Sequence, residues 1–240
     1  MSGAATGSDA STAPGLAARL AQLDARVADA ARAAGRDPAE LTRIVVTKFH
    51  PAELVAQLHA LGVRDVGENR QQELTAKRTE LPDLSPLTWH FIGQVQTKKA
   101  RAVRLASDIV HSVDRDRLAD ALHAADPEGV PLQVLLQVNL TDDPGRGGAA
   151  PAEIERLAEH VADACPSLRV RGVMAVAPLN GAPAEAFARL NDASRAVRSV
   201  MPDATWISAG MSGDFAEAIA AGATHLRIGT AITGPRPERG

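Results

Sequence analysis

The 240-residue sequence predicts a single (β/α)8 TIM barrel, and three observations carry that expectation. The apolar period switches repeatedly between helix-like and strand-like stretches, eight stretches of each kind can be counted, and several strand-like runs end in a polar or reactive residue. A doubly wound open sheet would give a similar linear pattern, but eight strands in a domain of this length favour closure. One domain is favoured over two, because single barrels commonly reach this size.

The first fourteen residues are small and polar, with neither a basic start nor the apolar stretch of a secretory signal, and read as a disordered tail ahead of a barrel at 15–236. Helical periodicity follows at 16–34, 52–61, 71–80, 96–106, 115–125, 152–164, 184–200 and 214–221, with Gly, Pro, Asp or Ser in the nearby loops. Strand-like runs fall between them at 44–48, 65–68, 88–92, 109–113, 133–139, 170–176, 205–208 and 225–228. Their carboxyl ends offer Lys48, Glu68 with Asn69, His90 nearby, His111 with Ser112 and Asp114, Asn139, and Ser208. In a barrel these ends converge on one mouth, although polar residues also simply terminate strands.

Composition narrows the function. A formal charge of −3 gives no global pull toward nucleic acid, and aromatics at 2% are too few for a base-stacking platform. The lone Cys165 cannot form an intrachain disulfide or a clustered cysteine metal site, which fits a reducing compartment, and its amphipathic surroundings point to packing. Charged residues interrupt every apolar run before it could cross a bilayer, so a soluble, cytoplasmic protein is expected.

The chemistry is carried by the two ends of the chain. Lys48 closes the run Ile44-Val45-Val46-Thr47 with one long amine, and Phe49-His50-Pro51 follows at once. A lysine there suits imine formation with an aldehyde cofactor, the plain alternative being a solvated loop lysine. In the last quarter, Ser208-Ala209-Gly210-Met211-Ser212-Gly213-Asp214 precedes a helix, and Arg227-Ile228-Gly229-Thr230 ends the final strand. Ser212 can cap that helix and present its hydroxyl and free backbone N–H groups to an anion, with Gly229 and Thr230 completing the cup. The same loops could instead serve only as tight turns. Because the first and eighth strands adjoin in a closed barrel, an amine and a phosphate cup would meet, as pyridoxal 5′-phosphate requires. His90 reads either as a ring-side acid/base or as a packed strand histidine, with packing preferred.

A set of ordered motifs carries a resemblance. These are Val46-Thr47-Lys48 with Pro51, Gly67-Glu68-Asn69 with Gln72-Glu73, Trp89-His90-Phe91-Ile92-Gly93 with Gln96, His111-Ser112-Val113-Asp114, Gln137-Val138-Asn139, Gly172-Val173-Met174, Gly210-Met211-Ser212-Gly213-Asp214-Phe215, and Arg227-Ile228-Gly229-Thr230-Ala231-Ile232 with Gly234 and Arg236. Together they resemble the YggS/PROSC family of pyridoxal phosphate homeostasis proteins over nearly the whole chain after the tail. The resemblance implies a fold-type III barrel like the amino-terminal domain of alanine racemase, with Lys48 as the internal aldimine lysine. It implies phosphate contacts from Ser212, Gly229 and Thr230, Arg227 facing the pyridine nitrogen, and Asn69 beside the ring. Arg70, Lys98, Ala209 and Thr233 depart from the family's frequent residues and put rim contacts in doubt.

An arginine facing the ring nitrogen only donates hydrogen bonds, so the pyridine stays unprotonated and is a weak electron sink. Arg227 paired with a carboxylate is the bland alternative, though a charge inside a strand still needs a buried partner. The sequence has no tyrosine, whereas racemases resembling this fold use one as second base and add a second domain, which is not expected here. The expected function is buffering and delivery of pyridoxal phosphate by a monomeric carrier, with apo forms of pyridoxal phosphate enzymes as possible recipients. The alternative is a small amino-acid racemase or decarboxylase using Lys48 and a base such as His90. A lysine-dependent aldolase is a third reading. No metal is called for.

Overall fold

The computed structural model describes residues 15–141, 143, 145–178 and 181–236. The expected tail at 1–14 lies outside the described residues. Eight parallel strands form one closed barrel in sequence order: β1 (Thr42–Val46), β2 (Asp65–Glu68), β3 (Thr88–Phe91), β4 (Ile109–Val113), β5 (Leu132–Gln137), β6 (Leu168–Met174), β7 (Trp206–Ser208) and β8 (His225–Ile228). The open-sheet alternative is thereby excluded. β8 closes onto β1 with Ile44 beside Arg227 and Val45 beside Ile228, so the first and last strands deliver their carboxyl ends to one place.

Helix α1 (Leu16–Ala33) buries Leu20, Leu23, Val27 and Ala31, a spacing of three and four residues that keeps one face on the sheet. The crossover helices are α2 (Ala52–Ala60), α3 (Gln71–Glu80), α4 (Ala100–Ala106), α5 (Asp116–Ala124), α6 (Ile154–Ala164), α7 (Pro183–Val200) and α8 (Phe215–Ala220). A short ninth helix, α9 (Thr230–Thr233), follows β8; no apolar periodicity announces an element of four residues. The helices and the outer barrel face share the main apolar core, while Ile109, Leu135 and Met174 form a small cluster of their own.

Two strands begin and end two residues earlier than their apolar runs indicate. β1 starts at Thr42 and β6 at Leu168, because Arg43 and Arg169 belong to the ladders although they are not apolar. Arg43 is tied to Asp24 of α1 at 2.8 Å. Helices expected at 96–106 and 152–164 each open with a 3-10 turn, Thr97–Lys99 and Pro151–Glu153, before α4 and α6 begin. No helix among the described residues is long and apolar enough to cross a membrane.

Candidate functional site

The carboxyl ends of β1, β2, β3, β6, β7 and β8 enclose a cavity of about 420 Å³, lined by Val46, Lys48, Asn69, Ile92, Gly93, Val176, Met211, Ser212, Gly213, Arg227, Gly229 and Thr230. Its size lies within the roughly 300–1,000 Å³ typical of small-molecule sites. Lys48, Asn69, Ser212, Arg227, Gly229 and Thr230 therefore all reach one space, although they are separated by up to 182 positions.

Lys48 is not the last residue of the strand but the first of a turn beyond it. Thr47 still donates its N–H to Gly67 O at 3.0 Å, and the chain then swings through Phe49, a non-glycine residue in the left-handed region at φ 69°. That sparsely populated conformation is held on several sides. Phe49 N–H donates to Glu73 Oε2 at 2.9 Å, and the guanidinium carbons of Arg70 and Arg236 lie 4.9 and 3.9 Å from the Phe49 ring centre. The Lys48 amine has no hydrogen bond or ion pair among the described residues, which leaves it free for a ligand.

A buried ion pair under this turn escapes sequence reading. Lys77 Nζ lies 2.5 Å from Glu68 Oε1 and donates to Thr47 O at 2.8 Å, while Thr47 Oγ1 donates to the same Glu68 oxygen at 2.6 Å. All three side chains are buried, and burial raises the Glu68 pKa against the lowering pull of Lys77. The triad fixes the carbonyl immediately before Lys48. Its signal was present as a glutamate closing β2 directly after Val66-Gly67 and a lysine three residues after Leu74 on the inner face of α3.

Arg227 is 4% exposed and projects from β8 with no carboxylate paired to it among the described residues. Its Nη1 donates to Ser208 Oγ at 2.6 Å and its Nη2 to Ala175 O at 2.8 Å. Burial lowers its pKa to about 10, so the cation persists at neutral pH. The surface ion-pair reading of this residue is corrected: it is a buried cation aimed into a cavity. Asn69 places Oδ1 out of solvent without a partner, and its backbone is crowded by Gly93, where an added Cβ would sit 2.2 Å from Asn69 O. Only glycine permits that approach.

Ser212 does not cap a helix. α8 begins three residues later at Phe215, its N-cap Asp214 makes no side-chain cap bond, and Asp214 Oδ1 instead accepts from Met211 N at 2.6 Å. The Ser212 and Gly213 backbone N–H groups have no backbone acceptor among the described residues, so the turn itself presents donors to the cavity. Other expected strand-end residues are elsewhere. His90, His111 and Ser208 lie inside the barrel, and Asn139 braces its own loop through Asp143 O and Arg146 O. Sequence reading also missed the apolar walls Val46, Ile92 and Val176, whose alternation along strands is no different from core.

The lining therefore joins a free amine, a buried cation with no carboxylate in contact with it among the described residues, an orphaned carbonyl oxygen and backbone donors without a backbone acceptor, with no acidic side chain among them. That donor set suits a small anion bearing an electrophilic carbonyl and a ring acceptor.

Residues 19–237 of this closed eight-stranded barrel match the family model described as alanine racemase, N-terminal domain. The chain is 43% identical to the pyridoxal phosphate homeostasis protein of Pseudomonas aeruginosa over 92% of this chain and 96% of that protein. PipY of Synechococcus elongatus, solved with pyridoxal phosphate bound, superposes with a TM-score of 0.81 at 34% identity, covering 92% of this chain and 100% of PipY. Alanine racemase of Corynebacterium glutamicum shares the fold at a TM-score of 0.67 and 16% identity, this chain covering 63% of it. The chain belongs to the family of pyridoxal phosphate homeostasis proteins.

Proposed function

We propose that residues 15–236 form a single domain that binds pyridoxal 5′-phosphate and serves intracellular homeostasis of that cofactor by holding and releasing it. The observation that carries this reading is the free Lys48 amine in one cavity with the buried cation Arg227. When bound, the cofactor supplies an aldehyde that an amine captures and a phosphate that takes several hydrogen-bond donors. Lys48 is the amine. Ser212, Gly229 and Thr230 hold the phosphate through hydroxyl and backbone N–H groups, Asn69 flanks the ring, and Arg227 donates to the ring nitrogen.

The same residues argue against substantial turnover. Arg227 carries only donors, so a ring nitrogen it meets stays unprotonated and draws electrons weakly. The 240 residues include no tyrosine to act as second base. His90, the base named for the racemase or decarboxylase alternative, does not line the cavity. The carrier works as a cytoplasmic monomer whose recipients are apo forms of pyridoxal phosphate enzymes.

Affinity rests on the phosphate. Charge-assisted hydrogen bonds contribute about 1.5–3 kcal/mol each, so pyridoxal lacking the phosphate binds at least about tenfold more weakly in an absorption titration. Equal dissociation constants, or a Ser212→Ala, Thr230→Val variant with unchanged affinity, would overturn the phosphate assignment. The carrier role is tested by mixing loaded protein with an apo-enzyme and, separately, with amino acids in deuterated water. Reactivation of the apo-enzyme is expected, with α-carbon exchange far below about 1 s⁻¹. Turnover at or above that rate favours the enzyme reading.

A further inference from the structure

A continuous hydrogen-bonded line crosses the barrel interior from its base to the cavity. Asp65, the first residue of β2 and 28% exposed in its side chain, places Oδ1 3.0 Å from His90 Nε2. His90 Nδ1 lies 2.9 Å from His111 Nε2, His111 Nδ1 lies 3.0 Å from Ser208 Oγ, and Ser208 Oγ accepts from Arg227. His90, His111 and Ser208 are fully enclosed. No apolar side chain interrupts the series.

The ends fix its direction. A guanidinium can only donate and an ionised carboxylate can only accept, while each neutral imidazole has one donor and one acceptor. Between those ends one order satisfies every neutral group: Arg227 donates to Ser208, Ser208 to His111 Nδ1, His111 Nε2–H to His90 Nδ1, and His90 Nε2–H to Asp65. Burial, then His90, Arg227 and His225, hold the His111 pKa well below its ordinary value, which keeps one nitrogen of that ring as an acceptor. His225 of β8, lowered to about 3 mainly by burial, is likewise neutral. Arg171 of β6, stacked on Trp206, and Arg43 of β1, which faces Asp65, are further cations bordering this space.

We propose that Asp65, His90, His111 and Ser208 are positioning residues that act through Arg227: the line pins one arm of its guanidinium, leaves the remaining N–H groups for the ligand, and ties the orientation of that arm to a carboxylate at the opposite end of the barrel. A change at the barrel base is therefore felt at the mouth. The inference deepens the pyridoxal phosphate reading and rests on it only for its ligand arm.

The test has two arms. In the free protein, nitrogen-15 NMR of the imidazoles is expected to show the ring proton on Nε2 and a bare Nδ1 in both His90 and His111; an Nδ1–H form of either ring, or an imidazolium at His111, overturns the proposal. In the second arm, wild type, Asp65→Ala and Asp65→Asn are titrated with pyridoxal 5′-phosphate while the absorption band of the bound cofactor is recorded. Asp65→Ala is expected to mix the tautomers, shift the band and weaken binding on the order of tenfold. Asp65→Asn, which keeps an acceptor, recovers most of that loss. Unchanged tautomers, band and affinity in Asp65→Ala overturn the proposal, and if that variant does not fold, the wild-type tautomers decide. Failure of wild type to bind overturns the cofactor reading instead, and leaves the first arm to judge the line.

Discussion

Lys48→Ala is expected to abolish covalent capture of pyridoxal phosphate while leaving the barrel intact. The side chain is exposed, its amine makes no hydrogen bond or ion pair among the described residues, and its loss opens no core cavity. Thermal stability should stay within the roughly 0.5 kcal/mol typical of surface substitutions. What disappears is the amine. Borohydride treatment followed by intact-mass measurement should give a phosphopyridoxyl adduct on wild type and none on the variant. An adduct of equal yield on both would place the capturing amine elsewhere.

Lys77→Met is expected to produce the largest loss of stability, because it leaves the Glu68 carboxylate buried without its cation and releases the Thr47 carbonyl. Removing one partner of a buried pair costs about 3–5 kcal/mol. In a chain of this size each kcal/mol lowers Tm by roughly 2–4 °C, so a fall of roughly 6–20 °C is predicted by calorimetry. The pH dependence has a definite sign. Burial already raises the Glu68 pKa, and without Lys77 only the Thr47 hydroxyl opposes it at close range. Between the unfolded value near 4.3 and the raised folded value, the folded state holds more protons, so stability falls as pH rises through that window. The variant should regain stability on mild acidification, and Glu68→Gln, Lys77→Met should be more stable than Lys77→Met at neutral pH. A Tm change under about 2 °C, or a variant most stable at alkaline pH, would contradict the triad's role.

How much of the site was legible depended on the kind of signal each part leaves. Lys48, the Ser212 turn and the Gly229-Thr230 end announced themselves locally, as a reactive residue after an apolar run or as small residues between elements. The eightfold alternation then supplied the closure that brings them together. Exact strand limits were less legible where Arg43 and Arg169 extend ladders beyond the apolar runs. The helix cap assigned to Ser212 failed because Met211–Asp214 close a turn of their own before α8 starts.

Two buried polar systems left no local trace. Glu68 and Lys77 are nine residues apart on a strand and a helix, and only the packing of α3 over β2 shows that they form a buried ion pair under the Lys48 turn. The line from Asp65 to Arg227 joins residues up to 97 positions apart in its individual links. His90 reads alone as a packed strand histidine and His111 as a polar strand end, and both are packed inside the barrel. Their order emerges only when the barrel closes and each ring nitrogen meets one partner.

The central claim is that Lys48 is the residue holding the cofactor, and peptide mapping of the borohydride-reduced wild-type protein after loading with pyridoxal 5′-phosphate tests it most directly. The account predicts one phosphopyridoxyl group per chain, on the peptide containing Lys48. Modification at Lys77, Lys98 or Lys99 in its place, with Lys48 untouched, would contradict it.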